Sequence, residues 1–299
     1  MPVKLRSYVA LIIGVVCLGF SAIFMRWAEA PGLVSSFYRM GIGALLLSPL
    51  YLKRHKQHSN FPLQELRFAL LGGLFFAIDM AFWSTGVMLS GATNPTLLAN
   101  TAPLWVGLGA LLLFKERLTA RFWLGLGMAM LGSVFILRLD SLQSLTFGLG
   151  TFMGLMSGIF YGGYFLFTQR GRQKLDTITF FWISGLTSTL ILFLLSLLFG
   201  FSLTHYPAHT YLAFLAMGVV NQVIGWLSLN YAQGHLPASL VAPTLLGQPV
   251  LTGILSGPLL GEQLSIAQII SGFIVLLGIY LIHRSRSNNP KAALRKTHL

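Results

Sequence analysis

Apolar residues run through the chain in long blocks with no helical or strand periodicity, broken at regular intervals by short polar or basic turns. A bilayer core about 30 Å thick needs roughly 20 such residues per helix. Ten blocks reach that length, at 7–26, 33–52, 66–89, 94–114, 120–138, 148–168, 178–200, 210–232, 237–259 and 265–283. The pattern predicts an all-α integral membrane protein of ten transmembrane helices joined by short loops. Lys4 and Arg6 precede the first block, and Ala28-Glu29-Ala30 after it resembles a leader-peptide cleavage site. The apolar core is longer than a leader's, and Arg26-Trp27 stands before the supposed cut, so a retained first span is expected.

The halves repeat. A shift of 146 positions places Ala92 on Ala238, Pro103 on Pro249, Gly107 on Gly253, Glu116 on Glu262 and Gly132 on Gly278, with nine identities over the 46 positions from 92 to 137. Each half then holds five spans, an odd number, so the second enters the membrane from the opposite side. The expected architecture is two inverted five-helix repeats, 1–140 (spans one to five) and 141–283 (spans six to ten), followed by a basic cytoplasmic tail, 284–299. Such repeats are a construction of secondary transporters, whose halves rock about a central site.

Composition narrows the class. Of 299 residues 55% are hydrophobic and 9% charged, and the mean hydropathy is +0.75. A soluble domain carries about 25% charged residues, so soluble enzymes and disulfide-stapled secreted modules are excluded. The net charge of +13 would suggest nucleic acid in a soluble protein, but here the charges sit in the turns. With the N-terminus inside, seventeen of the 20 Lys and Arg fall on the cytoplasmic side, Arg26 and Arg138 fall outside, and Arg39 lies within a span. That bias puts both termini in the cytoplasm, and no nucleic-acid partner is expected. Cys17, the one cysteine, reads as a small core residue.

Phe37-Tyr38-Arg39, the stretch from Pro103 to Lys115-Glu116-Arg117-Leu118, and Leu246-Gly247-Gln248-Pro249-Val250 followed by Leu260-Gly261-Glu262-Gln263-Leu264 together resemble the EamA-type members of the drug/metabolite transporter superfamily. The resemblance covers nearly the whole chain. It implies a carrier of the bacterial inner membrane, an exporter or facilitator of small metabolites, most commonly amino acids, with a cavity between the halves. A multidrug or cationic-compound efflux carrier and a non-transporting scaffold are the alternatives. Small multidrug relatives use an acid in their first span, and this chain has none there.

Ionisable groups inside a span are costly and signal function. Arg39 lies about 9 Å below the outer side of span two, and Asp79 about 10 Å below that of span three. Matching depths allow either a structural ion pair or a substrate site in which Arg39 takes a carboxylate and Asp79 an amino group or a proton. The amides Asn100, Asn221, Gln222 and Gln248 either glue helices or line a cavity, with Asn230 nearer the inner side. Pro103 and Pro249 leave the carbonyls of Ala99 and Leu245 without their helical donors, and matching breaks of this kind point to the binding site of an inverted-repeat carrier. Tyr38 and Trp83 flank the Arg39 level, and Tyr161 and Tyr164 face the same space; Trp27 and Trp182 read as interfacial anchors. Glu116 and Glu262 are expected to be exposed charges at helix starts. Gly125, Gly127, Gly132, Gly272 and Gly278 fit contact between spans five and ten or a homodimer seam. No cofactor or metal site is expected: the seven His are scattered, and no phosphate-binding Gly-rich loop ends in Lys-Ser or Lys-Thr. Proton coupling through Asp79, the one deep carboxylate, is a candidate driving force.

Overall fold

The structure is a computed structural model that describes residues 2–57, 63–90, 93–136, 148–261 and 265–287. Among these residues the regular structure is entirely helical. Span one comprises α1 (Val3–Gly19) and α2 (Ser21–Ala28), span two α3 (Gly32–Gln57), and span three α4 (Leu63–Ser90). Span four is split into α5 (Thr93–Ala99) and α6 (Ala102–Leu113), and span five is α7 (Ala120–Ile136). Spans six and seven are α8 (Leu149–Gly171) and α9 (Thr177–Leu198). Span eight joins α10 (Ala208–Ala216), a π-helical segment (Met217–Trp226) and α11 (Leu227–Gln233). Span nine joins α12 (Ala238–Thr244), a 3₁₀ turn (Leu245–Gly247) and α13 (Gln248–Leu260), and span ten is α14 (Ile266–Ser287). Nine of the ten are long and apolar enough to cross a membrane, and α7 has 17 described residues. Arg138, Glu262 and the tail beyond 287 lie outside the described residues.

Local chemistry sets the ends. Asp176 caps α9, its Oδ1 accepting from the N–H groups of Ile178 (3.0 Å) and Thr179 (3.3 Å). Partial burial pushes this carboxyl up, but the Thr179 hydroxyl, the two N–H groups and Arg54 outweigh it, so it sits below the ordinary carboxylate value. Lys115, with φ 51°, closes α6 in the left-handed region, and the Glu116 N–H returns to the Ala110 carbonyl at 3.0 Å. Gly261, at the matching place in the second half, has φ 70°.

Because the helices alternate in direction, turns 114–119, 172–176 and 234–237 share one end, here the basic end, where Arg54 meets Asp176 at 3.2 Å. Segments 29–31 and 199–207 share the other. Span three packs on span six as span eight does on span one. Span three also packs on span seven as span eight does on span two, and spans four and nine touch as spans five and ten do. Replacing each span by the one five places along leaves these pairings unchanged. The seam of spans five and ten joins Phe122, Leu126, Ala129 and Ile136 to Val275 and Ile282. Gly125, Gly132 and Gly278 face across that seam and so serve contact within one chain.

Candidate functional site

Both proline-marked spans are broken where the sequence places the breaks. In span four the helix stops at Ala99 and restarts at Ala102, with Pro103 in its first turn. The Thr101 hydroxyl donates to the Leu98 carbonyl at 2.6 Å, and Trp105 Nε1 donates to Thr101 Oγ1 at 3.1 Å, bonds that brace the break with side chains. In span nine the ladder tightens into the 3₁₀ turn, and the Gln248 N–H reaches the Leu245 carbonyl. The two breaks face a shared cavity of about 60 Å³ lined by Asn100, Pro103, Tyr161, Phe165, Leu245 and Gln248. A few waters fill such a space. Asn100 Nδ2 is buried and has no hydrogen-bond partner among the described residues.

Arg39 (5% exposed) and Asp79 (1% exposed) are both buried, yet they do not form the ion pair that their depths allowed. Arg39 Nη1 donates to Ser21 Oγ and Nη2 to Met80 Sδ, each at 3.4 Å, long contacts of which one is to a weak acceptor. Its Nε has no partner among the described residues. Asp79 Oδ1 accepts from the Ser157 hydroxyl of span six at 2.6 Å, while Oδ2 has no partner among the described residues. Tyr161 joins the two groups of residues, with its hydroxyl beside Gln248 and within electrostatic reach of both Asp79 and Arg39. The amide donor Asn100 thus lines the cavity, while the unfilled acceptor of Asp79 and the unfilled cationic donor of Arg39 lie outside its lining, within electrostatic reach of Tyr161.

Other candidates sit elsewhere. Tyr38 turns toward the end opposite the basic one, donating to the Leu203 carbonyl at 2.6 Å and stacking on Phe214 at 4.4 Å, so it braces segment 199–207. Trp83 donates to Thr96 Oγ1 at 3.0 Å and ties span three to span four. Asn221 Nδ2 donates to the Cys17 carbonyl at 2.6 Å, and Thr252 Oγ1 to the Gly19 carbonyl at 2.7 Å. These two bonds satisfy carbonyls released by the break between α1 and α2. Gln222 packs over Gly43 of α3, its Oε1 buried and unpartnered among the described residues. Asn230 donates to the Tyr164 hydroxyl at 3.0 Å, toward the basic end. Trp182 is a packing residue, stacked on Tyr51 at 3.9 Å and donating to Ser48 Oγ at 3.0 Å.

Glu116 corrects the expectation of an exposed charge at the start of span five. Its Oε2 accepts from the Ser239 hydroxyl at 2.6 Å, and its Oε1 from Gln169 Nε2 at 3.1 Å. Gln169 Oε1 in turn accepts the Ala238 N–H at 2.5 Å. Sequence reasoning passed over Ser157, Ser21 and Met80. The signal for the first was present: Gly154, Ser157, Gly158, Tyr161 and Gly162 lie on one helical face, and its glycines let span six run against Pro95, Leu98 and Ala102 of span four.

A polytopic helical bundle with paired broken spans and buried, half-satisfied polar groups has the build of an integral membrane protein with an internal polar site. The profile of the EamA-like transporter family matches residues 5–138 and again 148–284, and the chain belongs to that family. It is similar to an uncharacterized transporter of Archaeoglobus fulgidus, 24% identical over 278 residues, 92% of this chain and 95% of that one. It also resembles the uncharacterized transporter YdfC of Bacillus subtilis, 28% identical over 220 residues, 70% of this chain and 68% of that one. The uncharacterized transporter sll1319 of Synechocystis is 29% identical over 215 residues, 69% of this chain and 61% of that one. A solved crystal structure shares the fold with a TM-score of 0.76 at 19% identity, covering 95% of this chain and 98% of the other.

Proposed function

We propose that this transporter carries small zwitterionic metabolites, amino acids or related compounds, by alternating access through the cavity between two inverted five-helix halves. Arg39 takes the substrate carboxylate, Asp79 the amino group, and Asn100, Gln248 and Tyr161 the remaining polar contacts. One observation carries the reading. Arg39 Nε, Asp79 Oδ2 and Asn100 Nδ2 are buried without partners among the described residues, and Asn100 lines the cavity at breaks that occur in both halves, with Tyr161 of that lining in electrostatic reach of Arg39 and Asp79. An unmade buried hydrogen bond costs about 1–3 kcal/mol, and more for a charge, a cost that a bound substrate would offset. The exchange of spans between halves that leaves the helix pairings unchanged supports the inverted repeat. The bias of Lys and Arg supports both termini in the cytoplasm, and membership of the family supports a place in the bacterial inner membrane. Export and facilitated movement both fit this geometry, and Asp79 is the residue through which protons couple if coupling exists.

Reconstituted protein in liposomes tests the reading. Saturable flux of labelled amino acids is expected, abolished by Arg39→Ala and by Asp79→Ala in protein that remains folded. Asp79→Asn is expected to leave exchange while removing its pH dependence; unchanged pH dependence rejects proton coupling at this residue. Flux of organic cations with no amino-acid flux would replace the zwitterion reading by the multidrug one, because Arg39 repels a cation where Asp79 alone attracts it. A flat response to a broad metabolite panel would favour a scaffold.

A further inference from the structure

We infer that Glu116 is the latch of a gate that closes the passage at the basic end, and that breaking it opens the cavity toward that end alone. The network joins both halves: Glu116 follows α6 in the first, while Gln169 ends α8 and Ala238 and Ser239 begin α12 in the second. Both carboxylate oxygens are engaged, and Gln169 passes the tie on to the α12 backbone. Hydrogen bonds to an ionised acceptor are stronger than neutral ones, so one side chain holds three helix ends together.

Position gives the network its role. The 7-residue α12 spans about 10 Å, with Ser239 in its first turn and the 3₁₀ turn of the cavity wall at its far end. Poor hydrogen-bond geometry makes a 3₁₀ turn inside a helix a natural hinge. Displacement of Ser239 is therefore carried to Leu245 and Gln248. α6 likewise runs from the break at Asn100 to the turn that carries Glu116. The latch thus clamps the ends of the two half-helices whose other ends form the cavity.

A second layer lies between latch and cavity. Phe76, Tyr164, Phe165 and Trp226 pack together with ring centroids from 4.6 Å (Phe76 to Tyr164) to 6.1 Å (Phe165 to Trp226). None is more than 3% exposed, and Phe165 also lines the cavity. On α8 two of these rings, Tyr164 and Phe165, stand between Tyr161 of the cavity and Gln169 of the latch network. At the opposite end His209 and Glu29 meet at 3.6 Å and Tyr38 donates to the Leu203 carbonyl at 2.6 Å. At the basic end Glu116 is the polar part of the fastening.

The inference rests on access from two sides, but its test needs no substrate, so it fails or stands separately from the flux assay. Cys17 is the one native cysteine and is replaced first by Ala; the cavity-wall substitution Ala242→Cys then supplies a single reporter thiol. A membrane-impermeant thiol reagent is applied to either face of vesicles of opposite orientation. Glu116→Ala is expected to raise the labelling rate of this thiol from the N-terminal face about tenfold or more, because losing charge-assisted bonds moves the open–closed equilibrium by that factor, and to lower it from the other face. Ser239→Ala, which removes one hydroxyl and leaves backbone and packing intact, should shift both rates in the same directions by less. A rate from the N-terminal face that does not rise overturns the inference. So does an equal rise from both faces, which means general loosening rather than a gate.

Discussion

Spans five and ten meet so closely that one methyl group decides their separation. A Cβ placed on Gly278 falls 2.5 Å from the Gly125 carbonyl oxygen and 2.6 Å from the Ala129 nitrogen, both backbone atoms that no rotamer change can move. Comfortable contact begins near 3.5 Å, so Gly278→Ala forces the helices apart by roughly 1 Å and weakens dispersion along the whole seam. Overpacking of this kind costs about 1–3 kcal/mol. Gly127 on the facing helix is the control, since a Cβ there meets nothing within 4 Å. Gly127→Ala should therefore stay within about 0.5 kcal/mol of the parent. Equilibrium unfolding in mixed micelles measures both. The pair Gly125→Ala with Gly278→Ala should cost less than the sum of the singles, because each already opens the same gap. Equal costs for Gly278→Ala and Gly127→Ala would refute the close-contact reasoning.

Three further outcomes follow from groups outside the membrane-facing surface. Asp176→Ala removes the α9 cap and should cost about 1 kcal/mol by thermal unfolding at neutral pH. Because the folded Asp176 value is depressed, its contribution is present above the ordinary carboxylate range and is lost as pH falls through the lower folded value; the variant should lack that part of the acid dependence. Lys115→Val puts a β-branched residue at φ 51° and should destabilise by about 1–2 kcal/mol, whereas Lys115→Gly should be near neutral in the same melt. Asn221→Ala leaves the Cys17 carbonyl without its side-chain donor and should cost about 0.6–1.7 kcal/mol by the same unfolding measurement.

Hydropathy made the spans legible because the bilayer imposes one length on all of them, yet the helices overrun that ruler. Span three was expected at 66–89 and runs Leu63–Ser90, since a helix continues into water beyond the apolar slab. Pro103 and Pro249 announced their breaks because proline removes a donor whatever surrounds it. The break at Phe20 and the π-helical stretch Met217–Trp226 carry no such mark. Their hydrogen-bond register is set by tertiary partners, the Asn221 and Thr252 side chains among them. Depth along a helix gave Arg39 and Asp79 the same level but not the same direction. Each residue turns the side chain by about 100°, which is why neighbouring Tyr38 and Arg39 serve different places and why Asp79 meets Ser157 instead of Arg39. Glu116 was misread for a related cause: the left-handed Lys115 turns the chain back, and sequence alone reads that turn as an exposed loop.

Strengths of contact divide the work between site and gate. Arg39 is held by two bonds of 3.4 Å, one of them to sulfur, so under the proposed function a substrate carboxylate displaces little when it takes the guanidinium. A ligand shifts a conformational equilibrium only by the difference in its affinity for the two states. Ser21 lies just past the break in span one and Met80 next to Asp79, so drawing Arg39 away from them transmits binding to spans one and three at small cost. Under the proposed gate Glu116, with bonds of 2.6 and 3.1 Å to two partners, holds the closed state more tightly than the site contacts hold Arg39. Transport then requires that substrate binding also strain the two half-helices, α6 and α12, that the latch clamps. On this argument a variant at Ser239 lowers the substrate concentration needed for half-maximal flux, while one at Ser21 leaves it near the parent value.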